Sequence, residues 1–453
     1  MSGLRRLRAY LDGVPVGTVA QTSQGALSFA YDEDYRHDPE STPLSLSMPL
    51  AGDRHGNKPV RAYLDGLLPD SQPARQRWGR EYNVSPNNPF ALLRNVGMDA
   101  AGAVQMLPVE VPATDAAARD GDVEWLTNDD FAAMAHDLAA HGEDWDPGRF
   151  GGRWSLAGAQ PKMALHRNSD TGQWGIPRDS TPTTHIIKPA IEGFAQHHIN
   201  EALCLRAATE AGLLAATVDL VEVADVQAVI SYRYDRYQDE TGRWVRVHQE
   251  DLCQALAVHP SLKYQSDGGP GVSDVADLLA RLPVGDRELS VERFFKGLAF
   301  NILAGGTDAH AKNYSVVLIG PRAQVAPLYD VASAAPYSQC ERLSSPMKVG
   351  DHWKMLDVTA KDWERVGRRL GVPGDQAVAW VEDLRRSLPS AFVRAVTSLP
   401  ADTHTAADRM AERIIQHVNG SWRPDLDRNP AHILGGTSTV RTSPRTRRDD
   451  SGE

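Results

Sequence analysis

The stretch from Val291 to Asp330 restricts the fold more than any other part of the chain. Phe294, Phe295, Leu298 and Ile302 recur at helical spacing, which predicts a helix over 291–304 with one apolar stripe to bury. Gly305-Gly306 supplies its stop. A polar loop follows, Thr307-Asp308-Ala309-His310-Ala311-Lys312-Asn313, and a hairpin predicted over 314–319 and 325–328 then delivers Asp330. A loop that leaves a buried helix and enters a hairpin is held at both ends. Its Asp308 and Asn313, and the later Asp330, are therefore carried on fixed supports. An Asp and an Asn at this spacing are common by chance; the helix before, the hairpin after and the second acid give the pair its weight.

With 453 residues, the chain is too long for one ordinary core and suggests two or three packed units. Residues 4–11 read as a strand, Asp12-Gly13 as a hairpin turn and Val14–Val19 as the partner strand. Pro43–Met48 alternates like a further strand, and a polar helix is predicted around Ser71–Glu81. Residues 108–122 combine two prolines with small and acidic residues, a linker composition. A helix over 128–141 follows, with Asn128 as its N-cap. Residues 162–166 are extended, 168–172 form a turn, 184–188 are a β-branched strand, 196–212 a helix, and 218–223 with 226–232 a second hairpin. Beyond about 245 the pattern is mostly helical, and the tail is poor in apolar residues, which predicts disorder. The expected organisation is a small N-terminal domain over 1–107, a linker over 108–127, a strand-rich lobe over 128–240, a helical lobe over 241–433 and a disordered tail over 434–453. The fold class is α+β, two-lobed, with a cleft between lobes.

A net charge of −11 disfavours nonspecific DNA binding, which needs clustered Lys and Arg. Cys204, Cys253 and Cys340 are far apart and show no CxxC spacing, so neither a disulfide framework nor a zinc site is expected, and a reducing cytoplasm is. Arg5, Arg6 and Arg8 precede Asp12-Gly13 rather than an apolar run, unlike a signal peptide, and no stretch reaches the length of a membrane span.

The loop and hairpin suit phosphoryl transfer, which needs an aimed nucleophile and neutralised phosphate charge rather than covalent help. Protein kinases use this arrangement. Asp308 can accept a hydroxyl proton, while Asn313 and Asp330 offer the hard oxygens that Mg²⁺ prefers. In Ser155-Leu156-Ala157-Gly158-Ala159-Gln160-Pro161-Lys162, small residues let backbone N–H groups approach phosphates; alone, the segment reads as an ordinary turn before a strand. Lys188 ends a buried strand and calls for an acid partner, with Glu201 on the next helix as the candidate. Tyr232-Arg233-Tyr234-Asp235-Arg236 falls where a hinge between lobes would lie, and an aromatic there can pack on adenine or simply pack the lobes together. Two other readings compete. One is a metal-dependent hydrolase using Asp308, His310 and Asp330, since imidazole and carboxylate suit Zn or Mn; the other is a catalytically inactive module that binds an antitoxin or DNA. His197-His198 reads as a surface pair at a helix start rather than a ligand site.

With these residues in view, the chain resembles the HipA family of toxin kinases. The resemblance runs from Leu7 to about Trp422 and rests on SLAGAQPK at 155–162, HIIKP at 185–189, NEALCL at 200–205, YRYDR at 232–236, HQEDLCQAL at 248–256, GGTDAHAKNYS at 305–315 and PLYDVASA at 327–334. YLDGVPVG at 10–17 and YLDGLLPD at 63–70 resemble the small domain preceding the kinase core. The resemblance implies an ATP- and Mg²⁺-dependent serine/threonine kinase, with Asp308 as catalytic base, Asn313 and Asp330 on Mg²⁺, and Lys188 on the ATP phosphates. Ala157, Gly158, Ala159, Gln160 and Lys162 would form the phosphate loop. Tyr232 and Tyr234 would line the adenine pocket, with Gln249 and His310 nearby. Ser155 matches the family's autophosphorylated serine. It further implies a protein target, an aminoacyl-tRNA synthetase, whose modification inhibits translation and promotes dormancy. A HipB-like helix-turn-helix antitoxin would be the partner, with DNA contacted through it and no membrane involved. The sequence departs from the family at Tyr232 and Tyr234, where other members often carry Glu and Phe, and at Pro161, where they carry a charged residue.

Overall fold

The computed structural model describes residues 4–119, 121–141, 154–158, 160–190, 194–223 and 226–421. The predicted tail, Ala159 and the stretch 142–153 lie outside the described residues.

The N-terminal unit is built on an antiparallel sheet of β1 (Arg5–Leu11), β2 (Val14–Gln21), β3 (Leu27–Tyr31), β4 (Arg54–His55) and β5 (Val104–Pro108), in the order β4-β3-β2-β1-β5. Asp12 (φ 50°) and Gly13 (φ 85°) both take the left-handed conformation that a two-residue turn between β1 and β2 requires. Helices α1 (Glu33–His37), α2 (Asn57–Gly66), α3 (Gln72–Glu81) and α4 (Pro89–Val96) complete the unit. Its core gathers Phe29, Tyr63, Trp78 and Phe90. Ser71 caps α3 through Ala74 N–H, and proline follows at the start of the helix, where its missing N–H costs nothing.

The expected linker carries a short helix, α5 (Ala113–Ala117), whose Ala116 is fully buried. The Ala116 carbonyl accepts from Gln105 Nε2 and Ser180 Oγ, which binds this segment to both neighbours. Next come β6 (Val123–Trp125) and α6 (Asn128–His141). The α6 cap is Thr127 rather than Asn128: Thr127 Oγ1 accepts from Asp130 N–H, and Asp130 accepts Thr127 N–H in return.

The second sheet contains β6, β7 (Met163–Arg167), β8 (Trp174–Pro177), β9 (His185–Pro189), β10 (Val218–Val223) and β11 (Val226–Tyr232), ordered β10-β11-β9-β7-β8-β6. Between β9 and β10 runs α7 (His197–Glu210), buried along most of its length. His198 is buried too, so His197-His198 is not a surface pair; burial holds the His198 imidazole down at about 4. A small ribbon, β12 (Arg236–Gln238) with β13 (Trp244–Arg246), leads into β14 (His248–Asp251), which pairs with β15 (Ser315–Ile319) and through it with β16 (Arg322–Val325).

The helical half comprises α8 (Leu252–Ala255), α9 (Val272–Leu279), α10 (Val284–Ala304), α11 (Ala360–Arg369), α12 (Gly374–Ser398) and α13 (His404–Gly420). Its largest cluster surrounds Phe294, Phe295, Phe300, Trp363 and Phe392.

Three further sequence expectations are corrected. Pro43–Met48 is not a strand but a turn with a single Ser45–Met48 bridge. Its backbone groups go elsewhere: Met48 C=O accepts from Tyr31 Oη, Leu44 N–H donates to Tyr31 Oη, and Leu46 N–H donates to Glu250. The helix α10 begins at Val284, well before the predicted Val291. Its first turns carry no apolar stripe because Asp286 and Ser290 face β16, bonding to Arg322 and Val325 N–H. The second strand of the hairpin is Arg322–Val325 rather than 325–328, since Gly320 (φ 56°) and Pro321 already turn the chain. Leu328 pairs instead with the α7–β10 connection, its N–H donating to Leu214 C=O.

Glu250 lies between the N-terminal unit and the core, fully buried, with Oε1 accepting Leu46 N–H at 2.7 Å. Burial pushes its carboxyl up to about 8. A raised acid favours the fold while protonated, so its contribution is complete below the ordinary value of 4.5 and is lost as pH rises through 8. Glu250→Gln is therefore expected to lie close to wild type near pH 5 and to gain on it by about 3–4 kcal/mol by pH 8. Thermal melts across that range would check this; a constant difference would show that Glu250 stays charged.

Candidate active site

A cavity of about 510 Å³ opens between the β-rich and helical halves. Its wall draws on the N-terminal unit, the segment after Trp154, the ends of β9 and β11, β14, the loop after α10 and the segment after β16. Ala157, Gly158, Gln160, Lys162, Lys188, Tyr232, Tyr234, Gln249, Asp308, His310, Asn313 and Asp330 all line it. Ser155 and Glu201 stand behind the wall.

Gly305 ends α10 in the left-handed region (φ 78°), turning the chain into the cleft. The loop closes on itself: Asn313 Nδ2 donates to Asp308 C=O at 2.7 Å, and His310 N–H donates to the same oxygen at 2.8 Å. These bonds fix the loop backbone and leave the Asp308 carboxylate 65% exposed. Asp330 also has positive φ (55°), a conformation costly for a residue with a side chain and common where geometry serves chemistry. It aims the carboxylate at β9.

There Lys188 Nζ donates to Glu201 Oε1 at 2.6 Å and to Asp330 Oδ1 at 2.7 Å. Burial alone would lower the ammonium's pKa; Asp330 and Glu201 more than offset this and raise it. Burial would likewise raise Asp330, but Lys188 and Lys162 hold it well below the carboxylate range. Among the described residues, Lys162 has no carboxylate at bonding distance. Its Nζ donates to Ala157 C=O at 2.7 Å, and burial brings it down to about 8. Gly158 (φ 106°) passes so close to that ammonium that a β-carbon would collide with it.

The two hinge tyrosines differ. Tyr234 Oη bonds Gln249 Oε1, and its ring stands 5.8 Å from that of Tyr329. Tyr232 Oη donates to Asp219 at 3.0 Å, and its ring meets His185 edge-on at 4.4 Å. Ser155 is fully buried, its hydroxyl donating to Leu67 C=O at 2.7 Å. The hydrolase constellation does not assemble. His310 Nε2 is 3.8 Å from Asp308 Oδ1, close enough for the two to pair with each other, and among the described residues no three or more His, Cys, Asp or Glu side chains converge as metal ligands.

Sequence reasoning missed three features. Asp70 of the N-terminal unit enters the cleft and accepts from Lys312 Nζ at 2.6 Å and Lys263 Nζ at 2.9 Å. Tyr264 Oη donates to Asp308 Oδ1 at 2.7 Å. Behind the hinge, Asp99 and Asp235 are buried among Arg233, Arg236 and Arg246. Asp70, Lys312 and the hinge residues Arg233, Asp235 and Arg236 stand within quoted motifs, but nothing in the motifs pairs them across the chain.

Residues 154–392 match the HipA-like C-terminal domain family and residues 7–107 the HipA N-terminal domain family. Y4mE of Sinorhizobium fredii, a protein that bears a kinase name, is 35% identical over 373 residues, 82% of this chain and 86% of that relative. The serine/threonine-protein kinase toxin HipA of Shewanella oneidensis is 27% identical over 417 residues, 87% of this chain and 90% of the relative. Among solved structures, a chain of the Shewanella oneidensis HipA, HipB and operator DNA complex superposes with a TM-score of 0.78 at 23% identity, covering 92% of this chain and 97% of that one. This is a likeness of fold, and the fold is the two-lobed, kinase-like α+β arrangement expected from the sequence.

Proposed function

The chain belongs to the HipA family, and from that premise we propose that it transfers the γ-phosphate of ATP to serine, on a protein target and on its own Ser155. The observation that carries this reading is the convergence of Asp308, Asn313, Asp330 and the Lys188–Glu201 pair on one cleft. The residues present suit a magnesium nucleotide. Asp330 and Asn313 offer hard oxygens, and Lys162 and Lys188 offer cations. Gln160 Nε2 and His310 Nδ1 are buried at the cleft without a hydrogen-bond partner among the described residues. Mg²⁺, when bound, neutralises phosphate charge. Lys188 would hold phosphate oxygens while Glu201 keeps it in place, the backbone at Ala157–Gln160 would cradle the phosphates, and Asp308 would accept the serine proton. Tyr234 and Gln249 would border the base.

Ser155 faces away from the cleft here, so its phosphorylation requires the 155–162 segment to leave its seat under Leu67. A phosphoserine could not return to a buried site that accommodates one hydroxyl hydrogen bond. The segment would then stay displaced, taking Gly158 and Lys162 with it. Modification of Ser155 would thus shut the enzyme down.

Incubation with labelled ATP and Mg²⁺ is expected to label Ser155, and Asp308→Gln to reduce that label by about 10²-fold. Undiminished label in the variant would remove Asp308 from the role of base. We assign the target class as an aminoacyl-tRNA synthetase, inhibiting translation and promoting dormancy, and the partner as a HipB-like antitoxin through which DNA is reached. A net charge of −11 fits indirect rather than direct DNA contact. A phosphoproteome after expression, and co-purification with the product of a neighbouring short helix-turn-helix reading frame, test these assignments.

A further inference from the structure

Asp308 stands on a closed loop, yet its carboxylate is 65% exposed. A carboxylate so open would ordinarily turn freely about its side-chain torsions. Among the described residues one hydrogen bond restrains it, from Tyr264 Oη to Oδ1 at 2.7 Å.

Tyr264 is itself held firmly. It joins two short 3₁₀ turns, Pro260–Leu262 and Gln265–Asp267. Lys263 beside it bonds Asp70 at 2.9 Å, and the Lys263 carbonyl accepts Ala311 N–H from the loop carrying Asp308. Gln265 accepts Lys348 N–H at 2.7 Å. The phenol ring meets His310 edge-on at 5.0 Å, and Lys263 Nζ lies 5.6 Å from the ring centre. A fixed hydroxyl thus meets a carboxylate that little else restrains.

Two roles are open to such a hydroxyl. It can plug the acceptor position, or it can orient the base. A plug would cover the carboxylate, and the exposure of Asp308 decides against it: with Oδ1 taken, the side chain is still 65% exposed, and among the described residues Oδ2 has no hydrogen-bond partner. We infer that Tyr264 is a positioning residue for phosphoryl transfer, holding Oδ1 of Asp308 so that Oδ2 faces the incoming serine hydroxyl. This rests on the reading of Asp308 as base.

The test is single-turnover self-labelling by the full chain with γ-labelled ATP and Mg²⁺ over a range of ATP concentrations. Tyr264→Phe keeps the ring and its contacts and removes only the hydroxyl. It is expected to lower the maximal rate about 10-fold, the worth of one hydrogen bond to a charged group, with the half-saturating ATP concentration and the melting temperature unchanged. Tyr264→Ala, which also loses the ring, should fall no more than about twofold further if the hydroxyl is what matters. A wild-type rate in Phe with a depressed rate in Ala would leave only ring packing and overturn the inference. A faster rate in Phe would make the hydroxyl an obstruction and overturn it as well. Asp308→Gln separates the two levels: wild-type labelling there overturns both readings, whereas an inactive Asp308→Gln beside a wild-type-like Tyr264→Phe overturns this one alone.

Discussion

Asp99→Ala is expected to cost about 3–5 kcal/mol, a large part of the roughly 5–15 kcal/mol that a folded domain holds in reserve. The Asp99 carboxylate takes Arg236 and Arg246 on one oxygen, each at 3.0 Å, and Thr183 N–H, Thr183 Oγ1 and Arg233 on the other. The side chains of Arg236 and Arg246 are wholly buried. Burial would raise Asp99, but the three guanidiniums hold it far below the usual carboxylate range, so its ionised form is part of the fold. Removing it leaves Asp235 as the nearest buried counter-charge for Arg233 and Arg236, and Arg246 with a 3.9 Å approach to Asp12. Asp99→Asn should lose nearly as much, since an amide restores shape without charge. Denaturant titration and soluble yield would measure this. A midpoint within error of wild type would mean the arginines do not depend on Asp99.

Asp330→Asn should do the reverse, leaving the fold intact and reducing phosphoryl transfer by about 10³-fold or more. Asp330 is 32% exposed, and Lys188 keeps Glu201 when the second carboxylate is neutralised, so no buried charge is orphaned. What is lost is a negative oxygen at the mouth of the cleft, where the proposed Mg²⁺ needs a hard anionic ligand. The positive φ of Asp330 is tolerated by Asn as well as by Asp. Labelled-ATP transfer and a thermal melt on the same preparation provide the check; substantial turnover in Asp330→Asn would take Asp330 out of metal binding.

The sequence was most legible where local chemistry and burial agree. The β1–β2 hairpin followed from Asp12-Gly13, and the Lys188–Glu201 pair from the cost of a lysine ending a buried strand. Reading failed where polar groups find partners far away along the chain. Pro43–Met48 alternates convincingly, yet Leu46 N–H is satisfied by Glu250 and not by a neighbouring strand. The start of α10 was invisible because its inward-facing residues there, Asp286 and Ser290, are polar. In the cleft, single-motif chemistry brought out Asp308, Asn313 and Asp330. Asp70 and Tyr264 carry no such local signature; both act across long separations, on Lys312 and on Asp308. The hinge aromatics drew the eye, while Arg233, Asp235 and Arg236 between and beside them turned out to be bonded into the protein interior.

The Asp99 cluster also bears on how the molecule comes into being. Asp99 leaves the ribosome 134 residues before Arg233 and 147 before Arg246. At translation speeds of about 5–20 residues per second, the nascent N-terminal unit waits on the order of 10 s for its counter-ions. During that interval the seat for the Trp154–Ser155 backbone, which pairs with Asp99, lacks the charges that fix it. Docking of the N-terminal unit is therefore completed only once the chain has been synthesised beyond Arg246, and a chain terminated before Arg233 would carry an acid without its arginine counter-ions.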